Sequence, residues 1–121
     1  MLVRYKKTGE KIAMGLLSFM PQEKDLKKLQ ETIHLYETNP NWHLFMWKKE
    51  EDFIGLIGVE SIDDICVIQH ISVTPSHRCE GIGKEMVQNL SQFLHFKEVL
   101  STEVTKPFID KCPVQKEGTD D

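Results

Sequence analysis

Arg78, Gly81 and Gly83, spaced Arg-x-x-Gly-x-Gly, are the residues of this chain best suited to hold a ligand. They follow a β-rich run from Val67 to Val73 that stops at Pro75, and they open an apolar-periodic helix. The first N–H groups of a helix have no carbonyl partner within it, and the helix dipole adds partial positive charge there. Glycine lets such a backbone close on an anion, because a Cβ would stand in the way. The arrangement points to a pyrophosphate-bearing ligand. A Walker loop fails on spacing, since Gly83-Lys84 is followed by Glu85 and Arg78 occupies the place of the earlier glycine. A dinucleotide fingerprint fails too: Gly81-x-Gly83 runs on to Met86 with no third glycine.

The elements that must position this loop follow an α/β order. Leu2 to Tyr5 reads as a short strand. Gly9 and Glu10 lead into a helix with Ile12, Leu16, Phe19 and Met20 on one face, ended at Pro21. Leu26, Leu29, Ile33 and Tyr36 recur at spacings of three and four, which predicts a second amphipathic helix over residues 23–38. Asn39-Pro40-Asn41 punctuates it. Trp42 to Trp47 and Phe53 to Val59 are rich in aromatic and β-branched residues, with the polar run Lys48 to Asp52 between them: a β-hairpin. Ser61 to Asp64 turns into a strand from Ile65 to Val73. Past the glycine turn, Met86, Val87, Leu90, Phe93 and Leu94 mark the core face of a third helix. Glu98 to Val104 gives another strand, Pro107 to Cys112 at most one helical turn, and residues 113–121 a polar, disordered tail.

Composition agrees with one compact domain of 121 residues, 40 % apolar and 28 % charged. A formal net charge of −4 argues against a nucleic-acid partner, which demands a basic face. Trp42, Phe45 and Trp47 lack such a setting and are expected as core and edge residues of a strand, not as a base-stacking platform. Lys27-Lys28, and Lys48-Lys49 with the acids after them, read as solvated surface. The longest mostly apolar run, Ile12 to Met20, is too short to span a bilayer, so no membrane association is expected. No charged-then-apolar leader opens the chain. Cys66, Cys79 and Cys112 are odd in number and form no Cys-x-x-Cys pair, which predicts reduced thiols in a cytoplasmic protein, with no metal site.

With its preceding strand and proline and its following helix, Arg78-x-x-Gly81-x-Gly83 resembles the acetyl-CoA-binding motif of the GNAT superfamily of N-acetyltransferases. The order of elements is similar to that fold over about the first 112 residues: a mixed, mostly antiparallel sheet flanked by helices, here ending after the fifth strand. Within the family the likeness is to the small RibT-type proteins of bacterial riboflavin operons. It rests on the opening Arg4-Tyr5-Lys6-Lys7, the stretch from Glu10 to Pro21, and His70-Ile71-Ser72-Val73. The resemblance implies acetyl-CoA as co-substrate. Its pyrophosphate would lie on the loop from Arg78 through Cys79, Glu80, Gly81, Ile82 and Gly83 to Lys84. Its pantetheine arm would lie along Ile71, Ser72 and Val73 of the fourth strand, where Ile71 and Val73 pair with it as an added strand would. Glu80, a carboxylate beside a polyanion, must point outward. Cys79 is either a redox-sensitive thiol or a small side chain at a position that contributes only its N–H.

The family's catalytic signals carry over less completely. Amine acetylation needs a neutral amine, a polarised thioester carbonyl and sometimes an acid for the leaving thiolate. The tyrosine that often supplies the acid aligns with Ile109, and the family's sixth and seventh strands have no counterpart in the sequence. His70, on the opposite face of its strand from Ile71 and Val73, is a candidate base, with a hydrogen-bonded structural histidine as the alternative. Glu103 and Glu60 are further candidates, set against solvated carboxylates at strand ends. Two classes of function follow. One is an N-acetyltransferase acting on a small amine or a lysine side chain, with a link to riboflavin metabolism and a site completed by a second protomer as further expectations. The other is a non-catalytic module that binds CoA as ligand or sensor.

Overall fold

A two-residue turn at Glu50-Glu51 and another at Asp63-Asp64 make three of the five strands one continuous meander. In the computed structural model, which describes residues 1–23 and 25–106, β2 (Trp42–Lys49), β3 (Asp52–Ile62) and β4 (Ile65–Val73) pair antiparallel in sequence order. Glu50 and Asp63 take left-handed backbone, with φ of 56° and 53°. Tight hairpins need positive φ to match the twist of their strands. Against β2 lies β1 (Leu2–Arg4), antiparallel, and against β4 lies β5 (Glu98–Ser101), parallel. The sheet order is therefore β1-β2-β3-β4-β5.

Helices cover both faces. On one lie α1 (Glu10–Leu17) and α2 (Leu26–Thr38), over a core of Ala13, Leu16, Leu17, Leu29, Ile33, Leu44, Met46 and Leu56. On the other lies α3 (Ile82–Asn89), whose Ile82 and Met86 join Leu90 over Phe45, Ile57, Val59, Ile68 and Ile71. Val87 packs around them, and so do Phe93 and Leu94, which lie beyond the end of α3 and past a 3-10 turn over Leu90–Gln92, not on the longer helix the sequence predicts. Phe45 is fully buried while Trp42 and Trp47 are partly buried, in keeping with core and edge roles.

Three expectations need correction. The buried stripe of the first helix is Ala13, Leu16 and Leu17, continued by Met20, whereas Ile12 and Phe19 are exposed. The α-helix ends at Leu17 and Phe19 N then donates to Leu16 O, so the periodicity that placed Phe19 on the core face has lapsed. Leu26, in the first turn of α2, is also exposed. Finally, β5 stops at Ser101 and not at Val104. Thr105 Oγ1 accepts from Thr102 N at 2.9 Å, and Thr102 Oγ1 accepts from Thr105 N at 3.1 Å. Such local side-chain bonds compete with strand pairing. The expected turn over residues 107–112, the domain boundary at 112, the tail and the position of Ile109 lie outside the described residues. Among the described residues no helix is long and apolar enough to cross a membrane.

Candidate functional site: an amide cradle beside an open strand edge

Beyond Val73 a short 3-10 turn over Pro75–His77 is fastened by His77 N donating to Thr74 O at 2.9 Å. Cys79 (φ 64°) and Gly81 (φ 84°) then take left-handed backbone and turn the chain into α3. Glycine adopts that conformation freely, whereas at Cys79 it costs about 1–3 kcal/mol, the kind of strain held at functional turns. Glu85 N donates to Gly81 O at 3.0 Å, the first bond of the helix. The N–H groups of Glu80, Gly81, Ile82, Gly83 and Lys84 donate to none of the described residues. Five consecutive unpaired amides at a helix start suit an anion. The Glu80 carboxylate pairs with Lys49 Nζ at 3.8 Å, and both side chains are about half exposed.

Arg78 has a different task from its neighbours. Its Nε donates to Val73 O at 2.9 Å, and its guanidinium lies 5.3 Å from the Phe19 ring. The side chain thus braces the loop against the end of β4 and against the segment after α1. Cys79 is disulfide-bonded and Cys66 is the free thiol among the described residues, which corrects the expectation of reduced thiols throughout. Burial pushes the Cys66 thiol up to about 11, leaving it inert at neutral pH.

Next to the cradle, β4 offers an edge. Ile65 to Ile68 pair with Glu98 to Ser101, and from Gln69 onward β4 has no β5 partner. Thr105 Oγ1 donates to Ile68 O at 3.1 Å and closes the paired part. Backbone groups of a strand alternate between its two edges. Thr74 N donates to Ile54 O of β3, so the groups of Ser72 also face β3, and those of Ile71 and Val73 face the open edge. Arg78 occupies Val73 O, which leaves Val73 N–H and both groups of Ile71 for an added strand or an extended arm. Ser72 differs from its two neighbours: its backbone faces β3 and its buried hydroxyl donates to Leu16 O at 2.7 Å, so it holds α1 to the sheet.

The sequence reading missed a bulge in β4. Gly58 pairs with His70 but Val59 pairs with Ile68, so Gln69 is an inserted residue at the point where β4 and β5 part. The signal was present: buried apolar residues fall on even numbers up to Ile68 and on odd numbers from Ile71. A strand changes parity in that way when a residue is inserted. The Gln69 side chain donates to Glu60 Oε1 at 3.2 Å.

His70 is enclosed. Tyr36 Oη lies 2.6 Å from His70 Nδ1, His70 Nε2 lies 3.2 Å from Glu23 Oε2, and Thr32 donates to Glu23 Oε1 at 2.9 Å. His70, Glu23, Thr32 and Tyr36 are all buried. Burial works against ionisation of Glu23, but the hydrogen bonds from His70 and Thr32 outweigh it and hold the carboxyl below its usual range. Burial first, then the charges of Glu23 and Glu60, push the Tyr36 phenol well above its usual value. An ionised Glu23 can only accept, so His70 Nε2–H donates to it, while Nδ1 is bonded to the Tyr36 hydroxyl. With both ring nitrogens engaged, His70 has no free lone pair for an acceptor amine. Glu103 sits exposed in the turn after β5 and makes no hydrogen bond or ion pair among the described residues, so nothing brings these two candidates together. The described residues hold no group of His, Cys, Asp and Glu arranged for a metal ion.

Residues 3–108 match the acetyltransferase (GNAT) family. The chain belongs to that family. Over 115 residues it is 59 % identical to the "Uncharacterized N-acetyltransferase in lysA 3'region" of Bacillus methanolicus, covering 94 % of this chain and 96 % of that one. Solved acetyltransferases share the fold at low identity. An aminoglycoside N-acetyltransferase AAC(6')-Iy in complex with CoA superposes with a TM-score of 0.73 at 16 % identity, covering 98 % of this chain and 86 % of that one. A ribosomal-protein-alanine N-acetyltransferase of Brucella melitensis biovar Abortus gives 0.72 at 13 % identity, covering 98 % and 89 %. As a GNAT acetyltransferase the protein is an enzyme that uses acetyl-CoA as co-substrate, and the cradle and the open edge fit that molecule. The unpaired amides of residues 80–84 would hold the pyrophosphate, and Ile71 with Val73 N–H would pair with the pantetheine arm. When bound, the co-substrate supplies an activated acetyl group as a thioester.

Proposed function

We propose that this GNAT enzyme transfers acetyl to the primary amine of a small molecule or a lysine side chain, as a RibT-type cytoplasmic protein connected with riboflavin metabolism. The observation that supports it is the continuity of five unpaired amides with an unpaired strand edge. The first suits a diphosphate, the second an extended amide-bearing arm, and together they lead to the bulge at Gln69. Catalysis then rests on positioning and on backbone donors at the thioester, with His70 orienting its surroundings and not touching the amine. In this reading a second protomer covers the outer edge of β5 and borders the acceptor site.

Thiol release from acetyl-CoA, followed against a panel of primary amines and flavin-pathway intermediates, tests the proposal. Release should depend on the amine. It should fall at least about tenfold in Gly83→Val, where side-chain bulk keeps an anion from the amides, equivalent to about 1.4 kcal/mol. Release that no amine accelerates, from a protein that still binds CoA, would leave a CoA-binding module in place of the transferase.

A further inference from the structure

We infer that Glu60 is the carboxylate that receives the acceptor's amino group, with Gln69 as its positioning residue; the inference rests on the proposed transferase reading and specifies its acceptor as a cationic primary amine. The open edge of β4 has a direction. It runs from Val73, beside the amide cradle, to Gln69, where β5 begins to pair. Four residues of strand span about 13 Å. A ligand with its diphosphate on residues 80–84 and its arm along this edge therefore brings its far end to Gln69.

Glu60 is the carboxylate joined to that point. It lies cross-strand from Trp42 on one side and Val67 on the other, which places it on the sheet face covered by α1 and α2. Gln69 Nε2 holds its Oε1 at 3.2 Å. Its Oε2 has no partner among the described residues, although the residue is half-buried. A half-buried carboxylate with one oxygen fixed and the other unpaired is suited to an ammonium, because the charge-assisted bond replaces lost hydration. Two aromatic rings stand beside it. Tyr36 and Trp42 meet edge to face at 5.2 Å between centroids, and the Glu60 charge is felt at the Tyr36 phenol.

The alternatives on this face are already engaged. His70 has both nitrogens bonded, and Glu23 is buried with both oxygens bonded. The insertion of Gln69 explains the arrangement from the sequence upward. Without the extra residue, β4 would stay in register and the side chain holding Glu60 would not stand at the parting of β4 and β5.

The test uses two CoA thioethers that differ in charge at the acceptor position, S-(2-aminoethyl)-CoA and the neutral S-propyl-CoA, with affinities measured by calorimetry on the full chain. Wild type should bind the cationic thioether about tenfold more tightly than the neutral one, the scale of one charge-assisted bond near a surface. In Glu60→Gln the ratio should fall to about one while affinity for CoA itself stays within about twofold, so that a folding defect is recognised separately. Gln69→Ala should lower the ratio in part, and Gln69→Asn should restore less of it than the native glutamine. A ratio near one in wild type, or a ratio that survives Glu60→Gln, overturns the assignment. Failure of wild type to bind either thioether or CoA would strike the transferase reading itself, a result distinct from loss of the charge preference alone.

Discussion

At the scale of single residues, the most consequential group is one the sequence could not connect. Glu23, Thr32, Tyr36 and His70 belong to the segment before α2, to α2 itself and to β4, and no spacing rule links them. Sequence could offer His70 as a candidate base. Only burial and two occupied ring nitrogens turn it into a link in a chain. The pH behaviour follows from the depressed Glu23 carboxyl. A group with a folded pKa below its unfolded one, about 4.3 for glutamate, stabilises fully above the unfolded value. That stabilisation is lost as pH falls through the folded value. Glu23→Gln keeps the shape but removes the charge, and should cost about 1–3 kcal/mol near neutral pH. Urea unfolding from pH 7 down to pH 3 should show the difference between wild type and variant shrinking below about pH 4.3. A difference that stayed constant across that range would mean that the charge on Glu23 contributes nothing to stability.

At the scale of elements, the sequence was most informative where periodicity was long and capped. The strand from Ile65 to Val73 has the bounds its composition predicted, although the inserted Gln69 shifts its alternation, and Met86 and Leu90 are buried where the three-four spacing put them. Less legible were α1, whose stripe shifts because the helix ends four residues before Pro21, and β5, which Thr102 and Thr105 cut short. The loop Arg78 to Lys84 was legible as a cradle, yet not the division of labour within it, in which Arg78 braces and the amides bind. The contact between α2 and the sheet was hidden for another reason. Gly58 reads as a weak point in a strand, but a Cβ there would collide with the Tyr36 phenol, so its lack of a side chain admits α2's aromatic ring onto β3. Gly58→Ala should therefore cost about 1–3 kcal/mol by overpacking, beyond any gain from reduced backbone freedom. It should also loosen the Tyr36–His70 bond. Thermal unfolding of Gly58→Ala alone and combined with Tyr36→Phe checks this: the second change should cost less in the alanine background than in wild type. Equal costs would show that Gly58 and Tyr36 are energetically independent.

At the scale of the whole molecule, the sheet is unequally protected. β1 is short and followed by the chain's turn into α1, whereas β5 is the outermost strand at the other side among the described residues. Leu100 and Val104 are exposed there, at 42 % and 44 %. An apolar strand edge carries unpaired N–H and C=O groups that invite another strand, and proteins cover or charge such edges. Lys97 and Glu98 blunt its start, but no charged side chain interrupts Val99-Leu100. This imbalance motivates the proposal that a second protomer lies against β5. Light scattering coupled to size exclusion should then give a molar mass that rises from one chain towards two with concentration. Leu100→Lys places a charge on the exposed edge and should hold the protein at one chain over the same range, with the CoA affinity of the cradle unchanged because α3 and the open part of β4 are untouched. If the acceptor site borders that interface, amine-dependent turnover per chain should rise with concentration in wild type and stay flat in the variant. A wild-type protein that remains a single chain throughout, with constant turnover, would assign the cover of β5 to the chain's own residues and leave the acceptor site complete within one protomer.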